Sequence, residues 1–240
     1  MPVKRRLKYK RIMLKLSGEV LQGEKDGGID FDVLDNLCQE VASVQKLGVE
    51  IAIVIGGGNF WRYRDFKASG IDRVHSDYMG MMGTIMNSLA MRNAFKKFKI
   101  DARPMSSFAM PVVVEAYLRD RAVSYLEKGK IVVCAGGTGN PFFTTDTAAA
   151  LRALELECDI VLKATKVDYV YDKDPVKHKD AKLFKKMTYH QVLDLGLGVM
   201  DLSAISLCGD NKMPIAVFNL NKKGNIAKVV KGADVGTIIS

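Results

Sequence analysis

Short apolar runs alternate along the chain with longer segments in which apolar residues recur every three or four positions. Residues 51–55 and 131–134 are completely apolar, which is typical of strands buried on both faces of a parallel sheet. Residues 32–47 have their apolar positions at helical spacing, and Gly48 ends that segment. Because strand and helix patterns follow each other repeatedly, the sequence predicts an α/β fold with a mainly parallel sheet and helices on both faces.

The same pattern predicts the remaining elements. Strands are expected at 11–16, 50–55, 102–105, 131–134, 159–164, 215–219 and 236–239, and helices at 32–47, 77–97, 116–128, 145–157, 188–195, 201–207 and 225–231. Residues 169–185 are interpreted as an excursion from the sheet, with a turn at Asp174-Pro175. No repeat or clear linker interrupts the chain, so residues 1–240 are predicted to form one domain, with residues 1–8 as a flexible basic tail.

The composition is that of an ordinary soluble globular protein, with 48% hydrophobic and 26% charged residues. No apolar run approaches the ~18 residues of a membrane span, and the basic start of the chain lacks the apolar stretch of a signal peptide. Four widely spaced cysteines indicate buried thiols in a reducing, cytoplasmic compartment. Much of the net charge of +9 lies in residues 1–11 and 177–186, so neither a membrane nor a nucleic acid is predicted as the main partner.

The most informative segment joins a predicted strand to a predicted helix. Residues 136–147 are Gly-Gly-Thr-Gly-Asn-Pro-Phe-Phe-Thr-Thr-Asp-Thr. Glycine lets the backbone approach a ligand closely, and a helix N-terminus offers free N–H groups and the positive end of a dipole. The segment is therefore predicted to bind an anion such as phosphate. Asp146, in the first helical turn, has two interpretations: it complements the helix dipole, or it orients nearby lysines.

Three further strand ends carry candidate site residues, and ligands of open α/β sheets bind at the carboxyl ends of the strands. Lys15 ends the first predicted strand, and Lys163 lies where an apolar strand meets the crevice, so Lys163 must be paired or functional. Gly56-Gly57-Gly58 follow another apolar strand and can form a backbone nest for phosphate. Arg62 can then hold phosphate oxygens, although spacing alone does not separate it from Arg64.

Other chemistries are poorly supported by the sequence. The chain has no G-x-x-x-x-G-K-[ST] loop, no protein-kinase signature and no G-x-G-x-x-G fingerprint. The three histidines are isolated, with no partnered nucleophile, which argues against a hydrolytic triad. Met residues at helical spacing usually fill a core, so five methionines of the long helix are interpreted as core or subunit contacts rather than cofactor ligands. They are Met79, Met81, Met82, Met86 and Met91.

Taken in order, these motifs resemble those of the bacterial UMP kinases, which belong to the amino-acid kinase superfamily. The resemblance covers about residues 9–239, and it is most specific in residues 138–146 and in the Lys-Ala-Thr-Lys-Val-Asp run at 163–168. It implies a three-layer αβα sandwich that assembles as a homohexamer. It also implies transfer of the ATP γ-phosphoryl group to UMP, giving UDP and ADP in pyrimidine nucleotide biosynthesis, with Mg2+ held mainly by ATP phosphates and water.

The resemblance also implies a role for each site residue. The ATP side consists of Lys15, Ser17, Gly18, Gly58, Arg62, Thr165, Tyr171 and Asp174. The UMP side consists of Gly57, Asp77, Thr138, Gly139, Asn140, Pro141, Phe142, Phe143, Thr144 and Thr145, with Asp77 resembling the acid that binds the ribose hydroxyls. Lys15, Lys163 and Arg62 would stabilise the transferring group, and Asp146 would orient the lysines. Lys166 remains an alternative catalytic lysine, although strand placement favours Lys163.

The resemblance implies regulation as well. Residues 23–28 resemble a segment linked to GTP activation and Arg103 fits a basic contact there, but Arg119 stands where some GTP-activated members have an aromatic residue. GTP activation is therefore not predicted, whereas inhibition by UTP is. Two alternatives stay open: another kinase of the superfamily that acts on an amino acid or carbamate, and a non-catalytic nucleotide sensor or nucleic-acid-binding regulator.

Overall fold

The computed structural model describes residues 7–240, and residues 1–6 of the predicted basic tail lie outside the described residues. Lys8 donates its backbone N–H to the carbonyl of Val230 at 3.0 Å. The strands are β1 (Arg11–Leu16), β2 (Glu50–Ile55), β3 (Ala102–Ser106), β4 (Glu115–Ala116), β5 (Ile131–Ala135), β6 (Ile160–Thr165), β7 (Val170–Tyr171), β8 (Leu183–Phe184), β9 (Lys186–Met187), β10 (Ile215–Asn219) and β11 (Thr237–Ile239). The α-helices are α1 (Phe31–Gln45), α2 (Tyr63–Phe66), α3 (Arg73–Lys97), α4 (Arg119–Glu127), α5 (Thr145–Glu155), α6 (Tyr189–Asp194), α7 (Leu202–Asp210) and α8 (Asn225–Val230).

Nine strands of the described chain form one sheet in the order β4-β3-β5-β2-β1-β6-β10-β11-β9. Neighbouring strands are parallel except β10 and β11, which run antiparallel. The register places Lys15 of β1 beside Val54 of β2 on one side and beside Lys163 of β6 on the other. Because the carboxyl ends of parallel strands meet at one edge, the glycines after β2 and both lysines come together there.

Helices cover both faces of this sheet. One apolar core lies between the sheet and α1, α3 and α8, with Phe95 of α3 fully buried in it. The second core lies between the opposite face and α4, α5, α6 and α7, where Ala149 of α5 is fully buried. The strands are therefore apolar on both faces, as the sequence indicated. The predicted three-layer αβα sandwich with a mainly parallel sheet is confirmed.

Several predicted boundaries differ from the observed ones. Helix α3 begins at Arg73, about one turn earlier than predicted, because Asp72 acts as its N-cap and accepts the N–H of His75 at 3.1 Å. The helix predicted at 116–128 begins only at Arg119, since Glu115–Ala116 extend the sheet as β4. The excursion at 169–185 contains the antiparallel pair β7 and β8, and β9 after it was not predicted.

The interpretation of the methionines as core residues is only partly right. Met81 and Met91 are buried, but Met82 and Met86 are about half exposed, so the core interpretation is wrong for these two. Their role as subunit contacts stays a prediction.

All four cysteines are buried and free, and burial raises the pKa of the Cys38 thiol to about 12. Among the described residues, none of the helices has the length and apolar character needed to cross a membrane.

Candidate active site

Three charged side chains meet at the edge of the sheet where β1 and β6 end and α5 begins. Lys15 Nζ lies 2.8 Å from Asp146 Oδ1, and Lys163 Nζ donates to both Asp146 oxygens at 2.6 and 2.7 Å. The hydrogen-bonded register of β1 and β6 sets the two lysines side by side. Asp146 reaches them because Thr144 caps α5 and puts Asp146 in its first turn. Lys15, Asp146 and Lys163 are called the lysine–aspartate cluster below.

The cluster holds one more positive than negative charge in a place largely closed to water. Burial lowers the pKa of Lys163 to about 8, and the neighbouring Lys15 acts in the same direction, while Asp146 opposes both. Burial by itself would raise the pKa of Asp146, but the charges of Lys15 and Lys163 outweigh it, and the pKa lies below its ordinary value. Asp146 is thus ionised at neutral pH, and an added anion would relieve the excess positive charge.

The geometry bears on two alternatives that the sequence left open. Lys163 contacts Asp146, whereas Lys166 follows β6 and its side chain is exposed. Asp146 does lie at a helix N-terminus, but it also binds both lysines directly, so complementing the dipole is not its only interaction. Asp146 thus contacts both ammonium groups as well as lying at the helix N-terminus.

The glycines after β2 are required by close packing rather than by an unusual backbone conformation. None of Gly56, Gly57 and Gly58 has a positive φ, so the loop is not the alternating right- and left-handed nest that the sequence suggested. A Cβ on Gly57 would lie 2.3 Å from the carbonyl oxygen of Gly80 in α3. A Cβ on Gly18 would lie 2.4 Å from the carbonyl oxygen of Gly56. These contacts bring the ends of β1 and β2 and the helix α3 close together around the site.

Arg62 lies against the glycine loop and Arg64 does not. The Nε of Arg62 donates to the carbonyl of Gly58 at 2.7 Å, and its guanidinium lies 3.2 Å from a Glu19 carboxylate oxygen. Arg64 pairs with Asp65, and its side chain is 72% exposed. Arg62 is therefore the arginine that can reach a phosphate at this loop.

A small cavity of about 140 Å³ lies between α3 and the loop of residues 138–145, called the UMP-side loop below after the role that the resemblance implies for it. Asp77 lies in the second turn of α3 and accepts the backbone N–H of Phe142 at 2.7 Å. The lining includes Gly57, Asp77, Gly137, Phe143, Thr144 and Thr145. The structure thus brings Asp77 and the loop together. The outer part of the loop, outside this lining, consists of Thr138, Gly139, Asn140, Pro141 and Phe142.

Asp201 anchors the start of α5, a role that sequence reasoning did not assign. Its carboxylate accepts hydrogen bonds from the hydroxyls of Thr144 and Thr147 and from the backbone N–H of Ala204. Because a carboxylate only accepts, the Thr144 hydroxyl donates to it and keeps its lone pairs for the N–H of Asp146 at 3.0 Å. An aspartate directly before the apolar start of α7 is the N-cap signal that could have drawn attention to it.

A larger cavity of about 480 Å³ lies between β6, β10 and the excursion that contains β7. Thr165, Tyr171 and Asp174 line it, so the excursion lies beside the end of β6. The remaining predicted ATP-side residues lie outside this lining: Lys15 is in β1, Ser17 and Gly18 follow β1, Gly58 is in the glycine loop, and Arg62 contacts that loop. Thr165, two residues after Lys163 on β6, lines the larger cavity, and Thr145, directly before Asp146, lines the smaller one, so the cluster adjoins the lining of both cavities.

Comparison with known proteins decides the relationship. A sequence model of the Amino acid kinase family matches residues 10–219. The chain belongs to the amino acid kinase family. A curated relative, the uridylate kinase of Ectopseudomonas mendocina (strain ymp), is 52% identical over 235 residues, which covers 98% of this chain and 95% of the relative.

Solved structures of the amino acid kinase family have the same architecture. The UMP kinase from Bacillus anthracis gives a TM-score of 0.94 at 39% identity, and the match covers 97% of this chain and 96% of the Bacillus chain. The UMP kinase from Ureaplasma parvum gives a TM-score of 0.91 at 34% identity, and the match covers 98% of this chain and 100% of the Ureaplasma chain. The resemblance to bacterial UMP kinases drawn from the sequence motifs is thereby confirmed.

One structural device of this amino acid kinase went unnoticed in the sequence. The side-chain amides of Asn59 and Asn87 bond each other reciprocally at 3.0 and 2.8 Å. Asn87 also donates to the carbonyl of Gly56 at 2.8 Å, and Asn59 donates to the carbonyl of Gly28. This buried, fully paired network fixes the glycine loop against α3. The sequence signal for this network was Asn87, a polar residue on the buried face of the long helix α3.

Proposed function

We propose that this chain transfers the γ-phosphoryl group of ATP to UMP, giving UDP and ADP. The observation that carries the proposal is that the lysine–aspartate cluster adjoins the lining of two cavities. The larger cavity holds Thr165, Tyr171 and Asp174, and the smaller one holds Asp77. Two nucleotides bound in these cavities would place their phosphates at the cluster. The names uridylate kinase and UMP kinase carried by the relatives agree with this assignment.

The protein's part in the reaction is positional and electrostatic. Lys15 and Lys163 would neutralise charge on the transferring phosphoryl group, and Arg62 would hold it from the glycine loop. Asp146 contacts both ammonium groups and would hold them together and orient them. A general base is not needed, because the attacking phosphate oxygen of UMP is already anionic.

Mg2+ is proposed to enter as part of the ATP complex and to assist by neutralising phosphate charge. Within residues 7–240, His, Cys, Asp and Glu form no group of three or more placed to hold a metal. Both oxygens of Asp146 are engaged by lysines. We propose that Mg2+ is held mainly by the phosphate oxygens of ATP and by water, as the resemblance implies.

A coupled assay of ADP release tests the proposal. The purified protein with ATP–Mg2+ is expected to turn over UMP and to leave CMP, AMP, aspartate, glutamate and carbamate largely unused. Turnover of an amino acid or carbamate in place of UMP would assign the chain to another branch of the family. No turnover on any nucleoside monophosphate, with polynucleotide binding that falls steeply as salt rises, would favour the non-catalytic regulator.

Lys163 and Lys166 give a matched pair of variants. Lys163→Ala is expected to lower kcat by about 10²-fold or more, because it removes a positive charge beside the transferring group. Lys166→Ala is expected to leave kcat within about threefold, a change below ~1 kcal/mol, because its side chain is exposed and outside the cluster. Initial rates at saturating ATP and UMP measure both. Equal losses in the two variants would contradict the role given to Lys163.

The biological setting is proposed on the same basis. We place the reaction in pyrimidine nucleotide biosynthesis in the cytoplasm, in a homohexamer inhibited by UTP. GTP activation is not proposed, since Arg119 stands where some GTP-activated members of the family have an aromatic residue, and here it pairs with Asp120 at 2.9 Å. Sedimentation of the purified protein tests the hexamer, and rates with added UTP or GTP test the regulation.

A further inference from the structure

Arg73 contacts three separate segments around the smaller cavity. Its Nε donates to both carboxylate oxygens of Asp77 at 2.8 Å, one turn further along α3. Its guanidinium carbon lies 4.8 Å from the ring centre of Tyr63 in α2 and 5.5 Å from that of Phe142 in the UMP-side loop. One side chain thereby links α2, the start of α3 and the tip of the loop.

The contact with Phe142 falls at a strained point of the loop. Phe142 has a φ of +70°, a conformation that residues other than glycine rarely adopt, and its side chain is largely exposed. Such a conformation persists only where the surroundings hold it. Here the surroundings are the Asp77 carboxylate, which accepts the Phe142 N–H at 2.7 Å, and the Arg73 guanidinium beside the ring.

The carboxylate of Asp77 has limited capacity left for a ligand. A carboxylate offers about four acceptor positions, and Arg73 uses one on each oxygen while Phe142 uses one on Oδ2. About one position therefore remains, on Oδ1. Arg73 determines which position that is, because its bond to both oxygens fixes the rotation of the carboxylate.

We propose that Arg73 is a positioning residue that sets Asp77 to accept a ribose hydroxyl and holds the loop tip through Phe142. This inference rests on the proposed function, because it assumes that a ribonucleoside monophosphate enters the smaller cavity. Arg73 makes no contact with the lysine–aspartate cluster within the described residues, so it acts on binding of the acceptor nucleotide and on its sugar. It acts on neither ATP nor the transfer step.

The test replaces Arg73 by Gln and measures both nucleotides separately. Loss of a charge-assisted hydrogen bond is expected to raise KM for UMP about tenfold, with kcat and KM for ATP within about threefold. The preference for UMP over dUMP, taken as the ratio of kcat/KM values, is expected to fall about tenfold as well. Arg73→Lys, which keeps the charge but loses the planar group that stacks on the rings, is expected to give an intermediate result.

Binding without turnover gives an independent readout. Trp61 is the one tryptophan of the chain, lines the smaller cavity and donates its indole N–H to Ser76 at 2.7 Å. Its fluorescence is expected to report a weaker UMP affinity in Arg73→Gln. Lys97→Gln is the control, since it removes a cation of the same helix that pairs with Asp35 at 2.5 Å, far along α3 from the site.

The outcomes separate this inference from the proposed function. If wild-type protein neither turns over UMP nor responds to it through Trp61, the proposed function fails before Arg73 is considered. If wild-type protein uses UMP but Arg73→Gln keeps KM for UMP and the UMP to dUMP preference within twofold, Arg73 is not a positioning residue. An equal rise of KM for ATP and UMP in the folded variant would also overturn the inference, because that pattern marks a general structural defect.

Discussion

Replacing Asp146 by Asn is expected to lower kcat by about 10²- to 10³-fold while the protein still folds. Asn has the same shape but no charge, so it cannot balance the ammonium groups that lie 2.8 and 2.6 Å from the carboxylate. Lys15 and Lys163 then repel each other in a buried place, and Lys163 loses the charge that opposes the fall of its pKa. Both lysines would be displaced or neutralised where the phosphoryl group transfers. Steady-state rates measure the loss.

Asp120→Asn is the matched control for this prediction. Asp120 also lies in the first turn of a helix beside a cationic side chain, but it is 92% exposed and pairs with Arg119 at the surface. If Asp146 served only the helix dipole, the two substitutions would have similarly small effects. A thermal melt checks folding, and Asp146→Glu, which keeps the charge but shifts it, provides a second variant. A kcat within threefold of wild type in folded Asp146→Asn would contradict the role assigned to Asp146.

The order of the elements was predictable because it follows from local patterns. Apolar strands and amphipathic helices have different periods, so residues 131–134 and 215–219 indicated strands without knowledge of their partners. The start of α3 was missed because a single capping hydrogen bond from His75 to Asp72 sets it. The short strand β4 was missed because pairing with β3, not its own composition, makes it a strand.

The candidate site was predictable in part for the same reason. Lys15, Lys163 and Asp146 each follow a recognisable strand or helix signal, and their proximity depends only on β1 and β6 being neighbours. The sequence did not show that β1 pairs with β6, so the contacts within the cluster needed the structure. Arg73 and Asp201 were missed because their importance lies in contacts with the UMP-side loop, which is distant from both in sequence.

The activity is expected to fall as pH rises through about 8, while the stability of the folded protein rises. Burial and the nearby Lys15 lower the pKa of Lys163 to about 8 from its ordinary value of 10.5. In the proposed mechanism only protonated Lys163 carries the charge that assists the transfer step, so kcat/KM for ATP is expected to decline towards tenfold per pH unit above this value. Bound phosphates favour the charged lysine and so raise the pKa of Lys163 in the substrate complex. The decline in kcat is therefore expected at a higher pH than the decline in kcat/KM.

Stability responds in the opposite direction because the unfolded chain binds the proton more tightly. Between about pH 8 and 10.5, Lys163 is protonated in the unfolded chain and largely neutral in the folded one. The free energy of unfolding therefore increases with pH across this window, since stability rises wherever the unfolded state binds more protons. Lys163→Met removes this contribution. Urea titrations at pH 8 and 10 give the unfolding free energies of wild type and variant. The difference between the two proteins isolates the contribution of Lys163 from that of other groups. Two results together would show that Lys163 keeps an ordinary pKa in the folded protein. The wild-type minus variant difference in unfolding free energy would stay constant over that range, and kcat/KM for ATP would not fall above pH 8.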